Sequence, residues 1–421
     1  MGSHGDGLPL NRESVLAAHD LIKPHIHFTP VQTNTTLSTL ASTPQTTEAL
    51  KGTPWEGKEP AKPKVRLFFK CENFQRIGAF KVRGAFHAVK RLIEKEGLEE
   101  VRKKGVVTHS SERSSEKQWD ERTDERTTGN HAQALALAAK TFTIPAHIIM
   151  PSISTPSKIA GTQAQGAIVH FSGSTSQERE AVVEDVIKDT GATLIPPYDH
   201  PHIVLGQGTM AVELAEQAEQ LISSESTLSV GKNKKGLDAV IAPCGGGGML
   251  AGNAVALHGT GIKVFGAEPS FEGGDDARRG VEAGERITTV KTLTIADGLR
   301  TPLGEINWKF IADKAYVAGL YAVTEDQIKD AMRLVLERMK CFVEPSAVVG
   351  LATILYNEDF RKMVEEEAGE EGWNIGVVFS GGNTTIEAIT EMFAPVEKRK
   401  AEREEGVIGQ DGKRLAENVA G

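Results

Sequence analysis

From Arg66 onward, short runs of apolar and β-branched residues alternate with stretches rich in Ala, Glu and Lys, a rhythm that predicts parallel strands joined by helical crossovers. The fold class expected is α/β. Strands are predicted over Arg66–Lys70, Gly105–Thr108, Ala146–Met150, Ala167–Phe171, Leu237–Ala242, Lys263–Ala267 and Asn374–Phe379. Several are too continuously apolar for a half-exposed sheet and belong between two layers of helices. Helices are predicted over Val82–Glu94, Asn130–Lys140, Ser176–Thr190, Thr209–Leu221, Thr324–Lys340 and Thr384–Phe393. Thr324, followed three residues on by Gln327, forms a capping-box start signal.

Three segments fall outside this rhythm. Thr43–Lys64, rich in Thr, Pro, Gly and Lys, reads as a surface loop. Glu112–Thr128 is crowded with charge and cannot be core, and 395–421 is charged, poor in apolar residues and expected to be a disordered tail. No internal repeat is found. With 421 residues the chain is long enough for one large two-lobed unit or two domains. The pattern divides it into a large domain (14–100 and 201–394) and a small one (101–200) carrying the insertion 112–128.

Composition narrows the function. The 48 basic and 57 acidic residues leave a net charge of −9, which provides no basic footprint for nucleic acid. No run approaches the roughly 20 apolar residues of a membrane span, and the first residues lack an apolar signal core, so a cytoplasmic protein is expected. The 3 cysteines, Cys71, Cys244 and Cys341, are too scattered to predict a disulfide framework or a zinc site.

Four motifs carry candidate chemistry. In Gly78-Ala79-Phe80-Lys81-Val82-Arg83-Gly84-Ala85 a lysine opens a helix, a poor place for a cation but a reasonable one for an amine turned into a pocket or neutralised as an imine. Gly245-Gly246-Gly247-Gly248 follows an apolar strand and precedes an Ala-rich helix, so consecutive backbone N–H groups can converge on a phosphate. It lacks the Lys-Ser/Thr of a nucleotide P-loop. Ser380-Gly381-Gly382-Asn383 stands at a strand end, where open parallel sheets bind ligands, and Gly129-Asn130-His131 opens another helix. Each alone could be a surface lysine, a flexible turn or a helix cap. Together they specify a phosphorylated aldehyde cofactor held by a lysine.

The ordered motifs GAFKVRGA, GNHAQA, GQGT, GGGGMLAG, AEP, ADGLRT, EPSA and SGGN resemble the serine racemase and serine/threonine dehydratase family, with similarity from Leu16 to Phe393 and closest to threo-3-hydroxyaspartate ammonia-lyase-like members. The resemblance implies the two-domain, open parallel-sheet fold of the tryptophan-synthase-β type, fold type II of the pyridoxal-phosphate enzymes, and a homodimer. It implies that Lys81 anchors pyridoxal 5'-phosphate and acts as base on the α-proton, with Phe80 beneath the ring, Gly245, Gly246, Gly247, Gly248 and Met249 around the phosphate, Asn130 on the ring hydroxyl and Ser380 facing the pyridine nitrogen. A neutral hydroxyl there disfavours a long-lived carbanion and favours prompt loss of a β-leaving group. The reaction implied is α,β-elimination from a small β-hydroxy-α-amino acid (3-hydroxyaspartate, serine or threonine) to a 2-oxo acid and ammonia; the alternatives are a racemase and an inactive cofactor-binding protein. Asn130 and His131 would hold the substrate's α-carboxylate. Arg179 matches a position that faces a second carboxylate in some relatives, although its charged neighbours also suit a solvated helix. Glu268, Gly274 and Asp276 match a site for Mg²⁺, Mn²⁺ or Ca²⁺.

One departure stands out. The family reads a hydroxyl pair directly before Gly-Asn-His, whereas here Ser110-Ser111 is separated from Gly129 by Glu112–Thr128. Ser111, or Thr128 as its replacement, is the candidate second acid/base. The insertion reads as a translated intron or mistaken gene model in preference to a functional loop, and racemisation is the activity it most threatens.

Overall fold

A computed structural model describes residues 8–109, 129–154, 156–173, 175–224, 233 and 235–394. Ser111, Thr128, the insertion 112–128 and the tail 395–421 lie outside them. The chain divides into two compact units, Met1–Asn383 and Thr384–Gly421. Of the second, only one helix is described, Ile386–Phe393, begun by the Thr385 side chain accepting from the Ala388 amide. No described helix is long and apolar enough to cross a membrane.

Two sheets organise the first unit. β1 (Val31–Thr33), β2 (Val65–Cys71), β7 (Ala239–Pro243), β8 (Lys263–Pro269), β9 (Gly319–Val323) and β10 (Trp373–Phe379) form a six-stranded sheet in the order β1-β2-β10-β7-β8-β9. Only β1 runs antiparallel, Val31 opposite Lys70. β3 (Val106–His109), β4 (Ala146–Pro151), β5 (Ile168–Ser172) and β6 (Thr193–Leu194) form a parallel sheet in the order β5-β4-β3-β6. β10 is buried throughout and pairs on both edges, Phe379 opposite Cys71 and Ile375 opposite Ala239, as its unbroken apolar run requires.

All seven predicted strands form, with ends shifted by one or two residues. β1, β6 and β9 escape the pattern because the first two are only three and two residues long and the third is half-buried along most of its length. The helix expected over Thr209–Leu221 begins at Pro201 and runs to Ser224. Its glycines are close contacts with other helices: a Cβ on Gly206 would lie 2.7 Å from the Gly84 Cα, and one on Gly208 would lie 2.5 Å from the Gly252 carbonyl oxygen. Gly84 and Gly206 thus mark the closest approach of the Lys81 helix to the long helix. The helix expected through Lys340 is α-helical only over Glu325–Leu334, continues as a π turn over Val335–Met339 and stops at Lys340, whose φ is +59°. Its capping box forms: the Thr324 side chain accepts from the Gln327 amide, and the Gln327 side chain accepts from the Thr324 amide.

The core lies on the sheets. Phe68, Val240, Ala242 and Val378 pack with Val204, Leu214, Leu250 and Val255 of the helices covering the large sheet. Val106, Ile148 and Met150 of the small sheet pack with Phe86, Val89 and Leu135. Burial of each such side chain contributes about 1.5–3 kcal/mol relative to exposure. Both sheets therefore keep their strand ends fixed, and the candidate site residues sit at those ends.

Candidate active site

Lys81 is the first residue of the Lys81–Glu96 helix, which lacks a side-chain N-cap. A buried ion network two residues further on holds this end. The Arg83 guanidinium donates to Glu72 Oε2 at 2.7 Å and Oε1 at 2.9 Å, and to Glu213 Oε1 at 2.9 Å and Oε2 at 2.7 Å. Lys70 Nζ reaches Glu213 Oε2 at 2.7 Å, and the His19 Nε2 lies 3.1 Å from Glu213 Oε1. Burial alone would raise the Glu213 carboxyl, but Arg83, His19 and Lys70 hold it well below the usual carboxylate range. β2, the Lys81 helix and the long helix are thereby locked together.

Lys81 Nζ donates to the Pro197 carbonyl at 2.9 Å and lies 5.4 Å from the centre of the Phe80 ring. Desolvation lowers its pKa to about 8, against the opposing pull of Glu344. The amine is thus neutral far more often than an ordinary lysine. Pro197-Tyr198 also borders the glycine turn. Asn307 Nδ2 donates to the Gly246 carbonyl at 2.7 Å and to the Tyr198 carbonyl at 3.4 Å. The lysine and the turn therefore converge on one segment.

Cys244, Gly245, Gly246 and Gly247 link β7 to the Gly248–Leu257 helix, whose N-cap, Gly247, has φ +85° and no side chain capping the first amides. A Cβ on Gly246 would stand 2.4 Å from the Tyr198 ring, and one on Gly247 would stand 2.3 Å from Leu303 Cδ1. Uncapped amides at a helix start bind an anion, and the walls leave no room for any residue but glycine. Met249 sends its side chain into the core. Gly246→Ala should weaken binding of an anion at this turn about tenfold or more, because accommodating an extra methyl in a packed wall costs about 1–3 kcal/mol; titration of the protein with inorganic phosphate checks it.

Ser380 follows β10 and is buried; its carbonyl accepts from the Phe80 amide at 3.0 Å, and Ala79 bridges Gly381. Asn130 opens the Asn130–Thr141 helix behind Gly129, and no side chain caps that helix either. Asn130 Nδ2 donates to Glu344 Oε1 at 3.2 Å, and its Oδ1 accepts from Asn383 Nδ2 at 2.5 Å. Asn383 N in turn donates to Glu344 Oε2 at 3.1 Å. Burial and the nearby Asp297 raise the Glu344 pKa to about 8. His131 Nε2 faces the Ile195 carbonyl at 3.1 Å, two residues before the carbonyl that takes Lys81. Burial and the Lys81 charge lower its pKa to about 3, so it is a neutral imidazole at ordinary pH.

Arg179 lies near the start of the Ser176–Thr190 helix and is only 2% exposed, which removes the solvated reading. The helix is started by a capping box between Thr175 and Glu178, a Thr-x-x-Glu pattern visible in the sequence. This helix and the Asn130 helix both begin beyond the carboxyl ends of the small sheet, where α/β folds place their ligands.

Glu268 ends β8 one residue short of its last position, and its carboxylate accepts from the amides of Ala277 at 3.0 Å and Arg278 at 2.8 Å. Asp276 Oδ2 accepts from the Leu303 amide at 3.0 Å, and Gly274 stands in the turn between them. Burial and mutual repulsion raise Glu268 well above the carboxylate range, and burial brings Asp276 to about 6. Among the described residues, no three His, Cys, Asp or Glu side chains gather as a metal centre. The residues not anticipated are Glu344, Asn383, Pro197, Tyr198 and Asn307. Glu344 and Asn383 stood inside quoted motifs; the other three carry no local signal, since Pro197 and Tyr198 act through backbone carbonyls or a wall contact and Asn307 through a side-chain amide whose partners are distant in the chain.

Comparison with known proteins agrees with this geometry. The family model described as pyridoxal-phosphate dependent enzyme matches residues 47–381. Serine racemase of Arabidopsis thaliana is 36% identical over 382 residues, covering 90% of this chain and 95% of the relative. The beta-hydroxyaspartate dehydratase of Paracoccus denitrificans is 35% identical over 379 residues, covering 90% and 97%. The structure of maize serine racemase superposes with a TM-score of 0.71 at 31% identity, covering 94% of this chain and 99% of that one. With a lysine, a glycine cradle and a strand-end serine converging as they do, the chain belongs to the pyridoxal-phosphate-dependent enzymes of fold type II.

Proposed function

We propose that this enzyme is an ammonia-lyase that removes water and then ammonia from small β-hydroxy-α-amino acids, with 3-hydroxyaspartate favoured over serine and threonine. The observation that carries the reading is the convergence of a Lys81 amine that burial makes easier to deprotonate with the uncapped start of the Asn130 helix: His131 of that helix and Lys81 reach carbonyls two residues apart. Bound pyridoxal phosphate supplies the electron sink for the charge left at the α-carbon. Lys81 is the base for the α-proton, and burial keeps its amine available near neutral pH. The uncapped first turn of the Asn130 helix receives the α-carboxylate. Asn130, steadied by Glu344 and Asn383, orients the cofactor ring, and Ser380 offers the pyridine nitrogen a neutral hydroxyl.

Buried Arg179 is the group for a second carboxylate, because a guanidinium fork matches a carboxylate in shape and charge. The dehydratase from Paracoccus supports a hydroxyaspartate-type substrate, and the plant racemases support the competing reading. Arg179→Gln should lower kcat/KM for 3-hydroxyaspartate about 10- to 100-fold while changing that for serine little, as loss of a charge-assisted hydrogen bond of about 1.5–3 kcal/mol implies. A divalent cation at Glu268 and Asp276 would relieve two buried carboxyls that now resist ionisation. A product assay over the three amino acids, with and without Mg²⁺, tests the whole reading. Accumulation of 2-oxo acid supports it, and accumulation of the opposite enantiomer alone overturns it.

A further inference from the structure

Two of the three cysteines, 270 positions apart in the chain, meet beside the active site. Cys71 ends β2, between Lys70 and Glu72 of the buried ion network. Cys341 follows the π turn and Lys340, three residues before Glu344. The two segments run side by side: Asn73 Nδ2 donates to the Phe342 carbonyl at 3.1 Å. Cys341 Sγ contacts Gln32 Oε1 at 3.2 Å, and Gln32 sits opposite Phe69 in the β1–β2 ladder. Cys71 Sγ donates to the Phe69 carbonyl at 3.4 Å, so the Cys71, Gln32 and Cys341 side chains gather on one side of the β1–β2 ladder, and the two thiols shift each other's ionisation. We infer that Cys71 and Cys341 form a reversible disulfide when the protein meets a peroxide, and that closing it disturbs the Glu344–Asn130–Asn383 cluster.

The chemistry balances without further partners. The Cys341 thiolate attacks a peroxide oxygen, the S–O bond forms as O–O breaks, and one water leaves. Cys71 then attacks the sulfenic sulfur, S–S forms as S–O breaks, and a second water leaves. Two thiols are oxidised by two electrons and the peroxide is reduced by two. A dithiol reverses the step by exchange. The neighbouring Cys71 side chain lowers the Cys341 pKa to about 7, which makes Cys341 the attacking group. Both side chains are buried, but Cys341 lies between exposed Lys340 and Phe342, directly after a left-handed non-glycine residue, so a molecule as small as hydrogen peroxide has a short way in. Cys244 offers a control: burial, with Glu268 and Asp276 nearby, raises its pKa well above the ordinary thiol value and leaves it inert.

Joining the sulfurs draws them together to about 2.05 Å. The displacement falls on a short segment whose other end holds Glu344, so the cofactor-facing Asn130 shifts with it. Misplacement on the scale of 1 Å in such a cluster can cost about a hundredfold in rate.

The holoenzyme is treated with hydrogen peroxide, the remaining thiols are alkylated, and the intact mass and tryptic peptides are measured. Expected is an intramolecular Cys71–Cys341 cross-link with Cys244 still alkylated, a loss of turnover of about tenfold or more, and recovery of both with dithiothreitol. Cys341→Ser and, independently, Cys71→Ser should show no cross-link and keep their turnover through the same treatment, with thermal unfolding confirming that each is folded. Three alkylated cysteines after oxidation, or a cross-link between chains, would overturn the assignment. Equal loss of turnover in wild type and Cys341→Ser would overturn the coupling to Glu344. Because the cross-link is read by mass, this result stands or falls apart from the identity of the substrate.

Discussion

Lys81→Ala is expected to abolish the visible absorbance of the cofactor-loaded enzyme and to lower turnover by about 10³-fold or more, since the proposed function makes Lys81 both the covalent anchor and a base whose contribution alone is about 10²–10⁴-fold. Spectroscopy of the purified variant and a single-turnover assay check the two effects separately. The pH dependence follows from the same residue. Its pKa is lowered to about 8, so the amine is protonated below that value and free above it. Uptake of pyridoxal phosphate by the apo-protein requires the free amine. Its rate should therefore rise by about tenfold per pH unit up to about pH 8 and then level off, about two units earlier than for a solvent-exposed lysine. A rate that keeps rising to pH 10 would show that Lys81 is not held where the Pro197 contact places it.

Arg83→Met is expected to destabilise the fold by about 3–5 kcal/mol, because it leaves Glu72 and Glu213 buried without the guanidinium that neutralises both. Arg83→Lys should recover only part of this. An ammonium keeps the charge but cannot serve two carboxylates with a planar fork. Denaturant unfolding with unchanged slope is the appropriate readout. The sign of the pH effect is fixed by Glu213, whose folded-state pKa is depressed. Its contribution is present in full above the ordinary carboxylate range and is lost progressively as the pH falls from that range through the depressed value, so wild type should weaken steadily on acidification below about pH 5. Arg83→Met should already be weakened at neutral pH and should relax as acid protonates the orphaned carboxyls. The two variants also separate chemistry from architecture: Lys81→Ala should keep its unfolding midpoint, and Arg83→Met should lose it.

Periodicity alone determined much of this protein. Unbroken apolar runs such as Asn374–Phe379 can be stable only with helices on both faces, and crossovers between them impose a parallel sheet. Lys81, the four glycines and Ser380 were legible because each stands at a strand or helix end, where residue type is dictated by backbone geometry and ligand chemistry together. Tertiary structure decided what depends on partners distant in sequence. Glu344 draws its raised pKa from burial and from Asp297. Gly206 and Gly208 are contacts between helices, and the partners they touch, Gly84 and Gly252, are far away in the chain. Arg179, among charged neighbours, read equally well as solvated, and only packing buries it. Cys71 and Cys341 meet because β1, β2 and the Lys340 turn are brought side by side. Local sequence specifies which backbone forms a residue can adopt; burial, charge pairing and proximity arise only when the sheets close, because desolvation and Coulomb energy depend on what surrounds a group in space.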